Sequence, residues 1–332
     1  MQTSACFQTV LSRNGNSLQP VNQMRHIINC DCARAQKFLN EIQPHGPLVV
    51  HELRGKKGHD KPAPGSQQDT SVDVTDSAVT YVMPVDVGEP PVKYSLLIDT
   101  GSSNTWIGAH KEYKPSLKSK TQRKEVAVTY GSGSFTGIEY TNTVALSSKM
   151  VIIEQSIGVA QETHGFGNDG IDGILGIGPV GLTRGTVEGM PSVPTITDNL
   201  LKQNIITQES IGIFYAPTPA DSKDLANGEM TFGGVDESKI TTPMKYVPIT
   251  KTSLANKYWG IDQTIKYNGE VIMNNCAGIV DTGTTLIMLA SDTFDKYMKA
   301  TGAVMDRWAF VAYAPAKRGH PDQWLTRVAG ES

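Results

Sequence analysis

Two seven-residue segments of this chain follow one pattern, and this repeat limits the possible folds more than any other feature. Residues 97–103 read Leu-Ile-Asp-Thr-Gly-Ser-Ser, and residues 279–285 read Ile-Val-Asp-Thr-Gly-Thr-Thr. A single Asp-Thr-Gly is most often an ordinary Asx turn, but two copies with matching flanks indicate one β-lobe that is built twice. The sequence therefore predicts two lobes related by an approximate two-fold axis, with two equivalent loops meeting in a cleft.

The residues around the repeat have the texture of short strands separated by glycines. Alternating apolar positions and β-branched or aromatic residues predict strands at 79–87, 94–98, 126–130, 143–146, 151–153, 173–178 and 230–232. Helices are predicted only at 196–203 and 291–301, and the second begins with a capping pattern formed by Ser291, Asp292 and Asp295. The predicted fold class is mainly β.

Length and charge narrow the function classes. The chain has 332 residues, which suggests about two domains, and with 39% hydrophobic and 19% charged residues it has enough apolar material for a core. Residues 71–302 carry 18 Lys and Arg against 25 Asp and Glu, whereas residues 1–70 carry 8 against 5. An acidic body argues against a nucleic-acid partner. No apolar run is long enough for a transmembrane helix, so no membrane partner is expected.

The paired loops suit hydrolysis by water without a metal. Two carboxyls a few ångströms apart cannot both ionise easily, so they share one proton, and one serves as base while the other serves as acid. Asp99 and Asp281 would form this pair. Gly101 and Gly283 would let the loops approach closely, Thr100 and Thr282 would hydrogen-bond across to the opposite loop, and Ser102 and Thr284 would offer hydroxyls to the outer carboxylate oxygens. No cofactor is expected.

Other chemistries have weaker support in the sequence. Cys30 and Cys32 with His26 do not match the usual zinc spacings, so no metal is expected. Residues 176–181 satisfy the glycine pattern of dinucleotide-binding loops, but Pro179 and the lack of an acidic residue near position 200 argue against that function. Hydrolysis by a Ser-His pair or by zinc has no motif to support it.

From about Ala78 to Gly302 the chain resembles the pepsin-like aspartic endopeptidases, and most of all the basidiomycete enzymes of the polyporopepsin type. The matching motifs are Asp99–Trp106, Tyr130–Gly137, Asp172–Gly178, Thr231–Asp236, Tyr258–Ile261 and Asp281–Leu286. The resemblance implies a bilobal acid-protease fold and a catalytic pair at Asp99 and Asp281. It also implies a monomer whose cleft binds an extended stretch of a polypeptide substrate, with a preference for apolar residues around the cut.

The same resemblance assigns further site residues. Tyr130, Gly131 and Ser132 would belong to the hairpin that closes over the substrate, called the flap, and the indole N–H of Trp106 would hold Tyr130. Ile174 would line the pocket for an apolar side chain before the scissile bond. All three assignments depend on the family pattern.

The predicted domain organisation has three parts. Residues 1–70 are a prosegment-like region with a flexible linker, 71–245 form the N-terminal β-lobe, and 246–332 form a truncated C-terminal lobe with an atypical tail from 303. In the first part, Lys56 or Lys57 would pair with the catalytic carboxylates, or the segment is only a solvated basic linker. The family is secreted or vacuolar, but the opening residues lack the basic start and apolar stretch of a signal peptide.

The tail sets this chain apart from the family pattern. After Gly302 no strand alternation is visible, and no apolar-apolar-Gly segment corresponds to Ile174-Leu175-Gly176 of the first lobe. A second lobe without this segment would expose strand edges and apolar surface. The sequence therefore leaves two functions open: an acid endopeptidase, or a catalytically inactive relative that binds peptides. Half-enzymes that dimerise are disfavoured because both loops lie in one chain.

Overall fold

The computed structural model describes residues 70–76, 80–131, 133–166, 170–216, 225–306, 311–313 and 324–327. Ten strands between residues 71 and 232 form one sheet in the order β5-β6-β7-β4-β8-β3-β2-β1-β10-β9. These strands are β1 (Ser71–Asp76), β2 (Tyr81–Val87), β3 (Val92–Asp99), β4 (Thr105–Ile107), β5 (Glu125–Thr129), β6 (Ser134–Ala145), β7 (Val151–His164), β8 (Gly173–Gly176), β9 (Ile211–Tyr215) and β10 (Leu225–Phe232).

The centre of this sheet positions the first repeated loop. β3 pairs antiparallel with β2 and parallel with β8, with Asp99 opposite Gly176. β4 then pairs antiparallel with the other edge of β8. Residues 96–98 are buried because elements cover both faces of β3 here, which explains a continuous apolar run instead of an alternating one. Asp99 therefore lies at the end of a strand that is paired on both edges.

Two apolar clusters support the sheet. The larger one packs around β2, β3 and helix α1 (Ile196–Lys202), and includes Met83, Leu96 and Phe232. Thr195 caps α1 through a reciprocal pair of hydrogen bonds with Asp198, which explains why this helix starts at the predicted residue. The smaller cluster surrounds Trp106 and contains both Tyr130 and Ile174.

The second half of the described chain forms smaller sheets. β11 (Gly260–Tyr267) and β12 (Glu270–Ile279) make an antiparallel hairpin, and a four-stranded sheet has the order β13-β16-β15-β14. The latter strands are β13 (Ile287–Leu289), β14 (Val304–Asp306), β15 (Val311–Tyr313) and β16 (Trp324–Arg327). Helix α2 (Ser291–Thr301) packs Phe294 and Tyr297 against Ile272 of β12. Short 3-10 helices lie at Val180–Thr183, Glu237–Lys239 and Ala255–Lys257.

The mainly β fold was predicted correctly, but two local expectations were wrong. Three strands form after residue 302, where no alternation was visible, because segments of three or four residues are too short to show a period and are defined by their partners. Helix α2 does begin at Ser291, but its N-cap is Ala290, whose side chain makes no capping hydrogen bond. The N-cap therefore lies one residue before Ser291, where the capping pattern was predicted to begin.

The two lobes differ behind their repeated loops. In the first lobe, β8 pairs with both β3 and β4. Among the described residues of the second half, β12 pairs only with β11, and β13 pairs only with β16. No described strand there takes the place of β8. The domain boundaries at 70/71 and 245/246 stay predictions, and the prosegment-like part, including Lys56 and Lys57, lies outside the described residues.

Candidate active site

The two repeated loops meet and interlock through their threonines. The hydroxyl of Thr100 donates to Val280 O at 2.9 Å and accepts from the N–H of Thr282 at 2.9 Å. In return, the hydroxyl of Thr282 donates to Ile98 O at 2.9 Å and accepts from the N–H of Thr100 at 3.1 Å. The predicted contact across the loops is confirmed, and it is reciprocal. These four bonds fix the ends of both strands relative to each other.

Both carboxylates lie against Gly101. Its N–H donates to Asp99 Oδ1 at 3.0 Å, and a Cβ built on this residue would stand 2.6 Å from Asp281 Oδ1. Such a separation is shorter than van der Waals contact, so any larger residue at position 101 would displace the second carboxylate. The predicted close approach of the loops at this glycine is confirmed.

Hydroxyl groups also orient the two carboxylates, as the sequence suggested. Ser102 Oγ donates to Asp99 Oδ2 at 2.5 Å, and Thr284 Oγ1 donates to Asp281 Oδ2 at 2.7 Å. Gly283 N–H donates to Asp281 Oδ1 at 3.0 Å, which mirrors the bond from Gly101 to Asp99. Each loop therefore contains a local Asx-type bond as well as the contact to its partner. Asp99 is fully buried, whereas Asp281 is partly exposed.

The predicted flap is the hairpin between β5 and β6. Tyr130 follows β5 directly, and its N–H donates to Gly133 O at 2.6 Å to close the turn. Gly131 lies in this turn and is partly exposed, while Ser132 lies outside the described residues. The ring of Tyr130 is 5% exposed and meets Phe166 edge-on, with 5.5 Å between centroids.

The expected hydrogen bond from Trp106 to Tyr130 is not formed. Trp106 Nε1 is buried and has no hydrogen-bond partner in the described part of the chain, and the two rings lie 6.4 Å apart. Trp106 instead stacks on Phe135 at 4.4 Å and meets Phe166 edge-on at 5.2 Å. Packing among aromatic rings thus replaces the polar contact in this arrangement.

Ile174 lies beneath the flap rather than at an open surface. It is 1% exposed on β8 and belongs to the same apolar cluster as Trp106 and Tyr130. Sequence reasoning missed Phe166, which precedes the motif that begins at Asp172 and closes this cluster against both aromatic rings. A lone aromatic residue in a glycine-containing loop carries no periodicity that could reveal such a contact.

The competing chemistries gain no support from the site. Residues Val180–Thr183, which overlap the end of the glycine pattern at 176–181, form a short 3-10 helix and not the long α-helix that would bind a pyrophosphate. Gly176 is instead needed for packing, because a Cβ there would lie 2.6 Å from Asn104 O. Among the described residues, no group of three or more His, Cys, Asp and Glu side chains is placed to hold a metal ion. Cys30, Cys32 and His26 lie outside the described residues.

Comparisons with known proteins agree with this geometry. A family model described as eukaryotic aspartyl protease matches residues 80–313. The chain belongs to this family. Polyporopepsin from Irpex lacteus is 54% identical over 239 residues, covering 71% of this chain and 69% of that protein. Rhizopuspepsin-1 from Rhizopus niveus is 31% identical over 283 residues, covering 80% of this chain and 69% of that protein.

A solved structure shows the same fold. The crystal structure of the aspartic proteinase from Irpex lacteus matches with a TM-score of 0.69 and 51% identity, covering 73% of this chain and 71% of that chain. The expected pepsin-like family and bilobal β fold are therefore confirmed. The matched part spans 69% of the length of polyporopepsin and of rhizopuspepsin-1, and 57% of the length of cathepsin E from Oryctolagus cuniculus. In the described residues no helix is both long and apolar enough to cross a membrane.

Proposed function

We propose that this aspartyl protease family member is an endopeptidase that cleaves proteins at acid pH with a water molecule activated between Asp99 and Asp281. One observation carries the proposal: the reciprocal bonds of Thr100 and Thr282 hold both carboxylates against Gly101. Two carboxyls held in this way share a proton, which provides a base and an acid in one site.

The reaction balances with these two groups and one water. The ionised carboxylate takes a proton from water while the water oxygen bonds to the peptide carbonyl carbon, and the protonated carboxyl gives its proton to the carbonyl oxygen. In the second step the C–N bond breaks: the carboxyl that took the proton from water donates it to the leaving nitrogen, and the other, now ionised, carboxylate takes a proton from a hydroxyl of the diol as the carbonyl re-forms. Hydroxyls of Ser102 and Thr284 keep both carboxylates oriented throughout, since each donates to an outer oxygen.

Substrate binding in the proposal follows the family pattern. Tyr130 and Gly131, together with Ser132, would cover an extended stretch of polypeptide, and strand-like main-chain hydrogen bonds would hold it. Ile174 and the aromatic cluster beneath the flap would favour apolar side chains next to the cut. We further propose, from the family, that the protein acts as a monomer, either secreted or in a vacuole.

The test is cleavage of denatured globin by the purified full-length chain across the acid range. We expect Asp99→Asn and Asp281→Asn each to abolish cleavage. The matched control Asp73→Asn changes an exposed aspartate on β1 and should leave the rate unchanged. A wild-type chain that cleaves nothing, or an Asp99→Asn variant that still cleaves, would refute the proposal.

A second function is favoured by the difference between the lobes. Because no described strand pairs with β12 in the way that β8 pairs with β3, Asp281 has less support than Asp99. A chain in which Asp281 is held less firmly than Asp99 could bind peptides without turning them over. Binding of a fluorescent apolar octapeptide by wild type, without any cleavage product, would favour this alternative.

A further inference from the structure

We infer that Trp259 is a positioning residue that sets the separation of the two catalytic carboxylates, an inference that rests on the proposed function. Its indole Nε1 donates to Ile177 O at 3.0 Å, 82 residues away in the sequence. Ile177 directly follows β8 and is fully buried. The bond therefore links the start of the second lobe's hairpin to the strand behind Asp99.

Backbone bonds extend this contact to both catalytic residues. The N–H of Ile177 donates to Asp99 O at 2.9 Å, and the N–H of Val280 donates to Trp259 O at 3.0 Å. Trp259 thus lies in a continuous path that begins at the Asp99 carbonyl and ends at the residue preceding Asp281. The path meets the contact between Thr100 and Thr282 at Val280, whose O accepts from Thr100 while its N–H donates to Trp259, and otherwise uses different residues. The two lobes are therefore joined by two sets of bonds.

The backbone next to Trp259 is closely confined. A Cβ on Gly260 would lie 2.2 Å from Ala255 O, and Gly260 O accepts from the N–H of Thr250 at 2.9 Å. Gly260 also pairs with Ile279 in the hairpin. Neither Trp259 nor Gly260 can shift without losing these contacts. The position of the indole therefore affects the position of β12, which pairs with the strand that begins at Gly260.

The second lobe depends on this bond more than the first. β3 has strand partners on both edges, whereas β12 pairs only with β11 among the described residues. Because no described strand there is equivalent to β8, the bond from Trp259 helps to hold the end of β12 against the first lobe at a point outside the loops. Loss of the indole N–H should therefore let Asp281 move relative to Asp99.

The experiment removes this donor from the full-length chain and keeps an aromatic ring. For Trp259→Phe we expect kcat to fall about tenfold with KM unchanged, because the contact acts through backbone atoms on the catalytic geometry. The bell-shaped pH profile of kcat should also narrow, since carboxyls that lie further apart influence each other's titration less. The matched control is Phe294→Leu, a buried change in the same lobe, which should lower stability and leave the width of the profile unchanged.

The outcomes separate positioning from other roles. A Trp259→Phe protein that is less stable but has the same pH profile of kcat as wild type would overturn the inference. A raised KM with unchanged kcat in this variant would overturn it as well. If Trp259→Phe does not fold, benzothienylalanine at position 259 replaces the N–H with sulfur at nearly equal volume and must give the same narrowing.

A readout without turnover distinguishes the two proposals. In the full-length chain labelled with 13C-aspartate, the carboxyl signals lost in Asp99→Asn and Asp281→Asn identify the pair, and their two titration midpoints can be followed by NMR. If wild type cleaves nothing, the proposed function fails, but closer midpoints in the Trp259 variant would still support positioning. Identical midpoints in both proteins would overturn it.

Discussion

Glu139 is predicted to make the first lobe less stable as the pH rises towards neutrality. It lies in the middle of β6, where Ser156 Oγ donates to its carboxylate and its backbone N–H donates to Lys124 O at 2.9 Å. Burial raises the pKa of this carboxyl from 4.5 to about 7, and the hydrogen bond from Ser156 and the charge of Lys124 offset only part of that effect. The neutral acid is therefore the form that the fold favours.

The effect of Glu139 on the free energy of unfolding follows from the linkage between folding and proton binding. A carboxyl whose pKa is higher in the folded state than in the unfolded state favours folding fully below the unfolded pKa, and this advantage is lost as the pH rises through the folded pKa. The rise from 4.5 to about 7 corresponds to about 3 kcal/mol in the free energy of unfolding, at about 1.36 kcal/mol per pH unit. The stabilisation by the neutral Glu139 carboxyl should therefore be lost between pH 4.5 and about pH 7.

The variant Glu139→Gln tests this reasoning because glutamine has nearly the same shape and no charge. The free energy of unfolding of both proteins is measured in urea by tryptophan fluorescence. We expect the difference between variant and wild type to shift in favour of the variant by about 3 kcal/mol from about pH 4 to about pH 8. Glu162→Gln is the control, since this residue is exposed on the neighbouring strand β7. A Glu139→Gln variant whose difference from wild type stays constant over that range would refute the argument.

Two further predictions concern the interlocked loops. Thr282→Val removes the bonds to Ile98 O and Thr100 N–H, so we expect a loss of about 1–3 kcal/mol in urea unfolding and slower globin cleavage; unchanged values in both assays would contradict the role of this threonine. Gly101→Ala puts a methyl group 2.6 Å from Asp281 Oδ1, and cleavage should fall about 100-fold, whereas Gly181→Ala, with open space around its Cβ position, should cleave like wild type. Equal rates for the two alanine variants would rule out the close contact.

The features that were predicted correctly from the sequence are those that depend on local pattern. The strands around residues 82–87, 94–98 and 230–232 were recognisable because alternation and β-branched residues are visible within five to ten positions. The contact between Thr100 and Thr282 was predictable because the repeat itself implies that equivalent loops meet. Asp99 and Asp281 could thus be placed together without any coordinates.

The features that the sequence did not reveal depend on distant packing. The bond from Trp259 to Ile177 joins residues 82 positions apart, and no spacing rule connects them. The same holds for Phe166, whose contacts with Trp106 and Tyr130 arise only when three separate segments converge. Trp106 also shows the limit of a family pattern, because its ring has the expected neighbour and its N–H does not make the expected bond.

The two carboxylates of this site are supported unequally, and that inequality determines where the site is most easily disturbed. Asp99 is fully buried at the end of a strand with partners on both edges, so its position is set by the core of the first lobe. Asp281 is partly exposed and follows a strand with one described partner. Besides the bonds from Gly283 and Thr284 within its own loop, contacts with the first lobe through the threonines and through Trp259 therefore help to set its position. Changes in the second lobe should therefore alter the position of Asp281 more than that of Asp99. Among the described strands, the strand that ends at Asp99 is paired on both edges, whereas the strand that precedes Asp281 is paired on one.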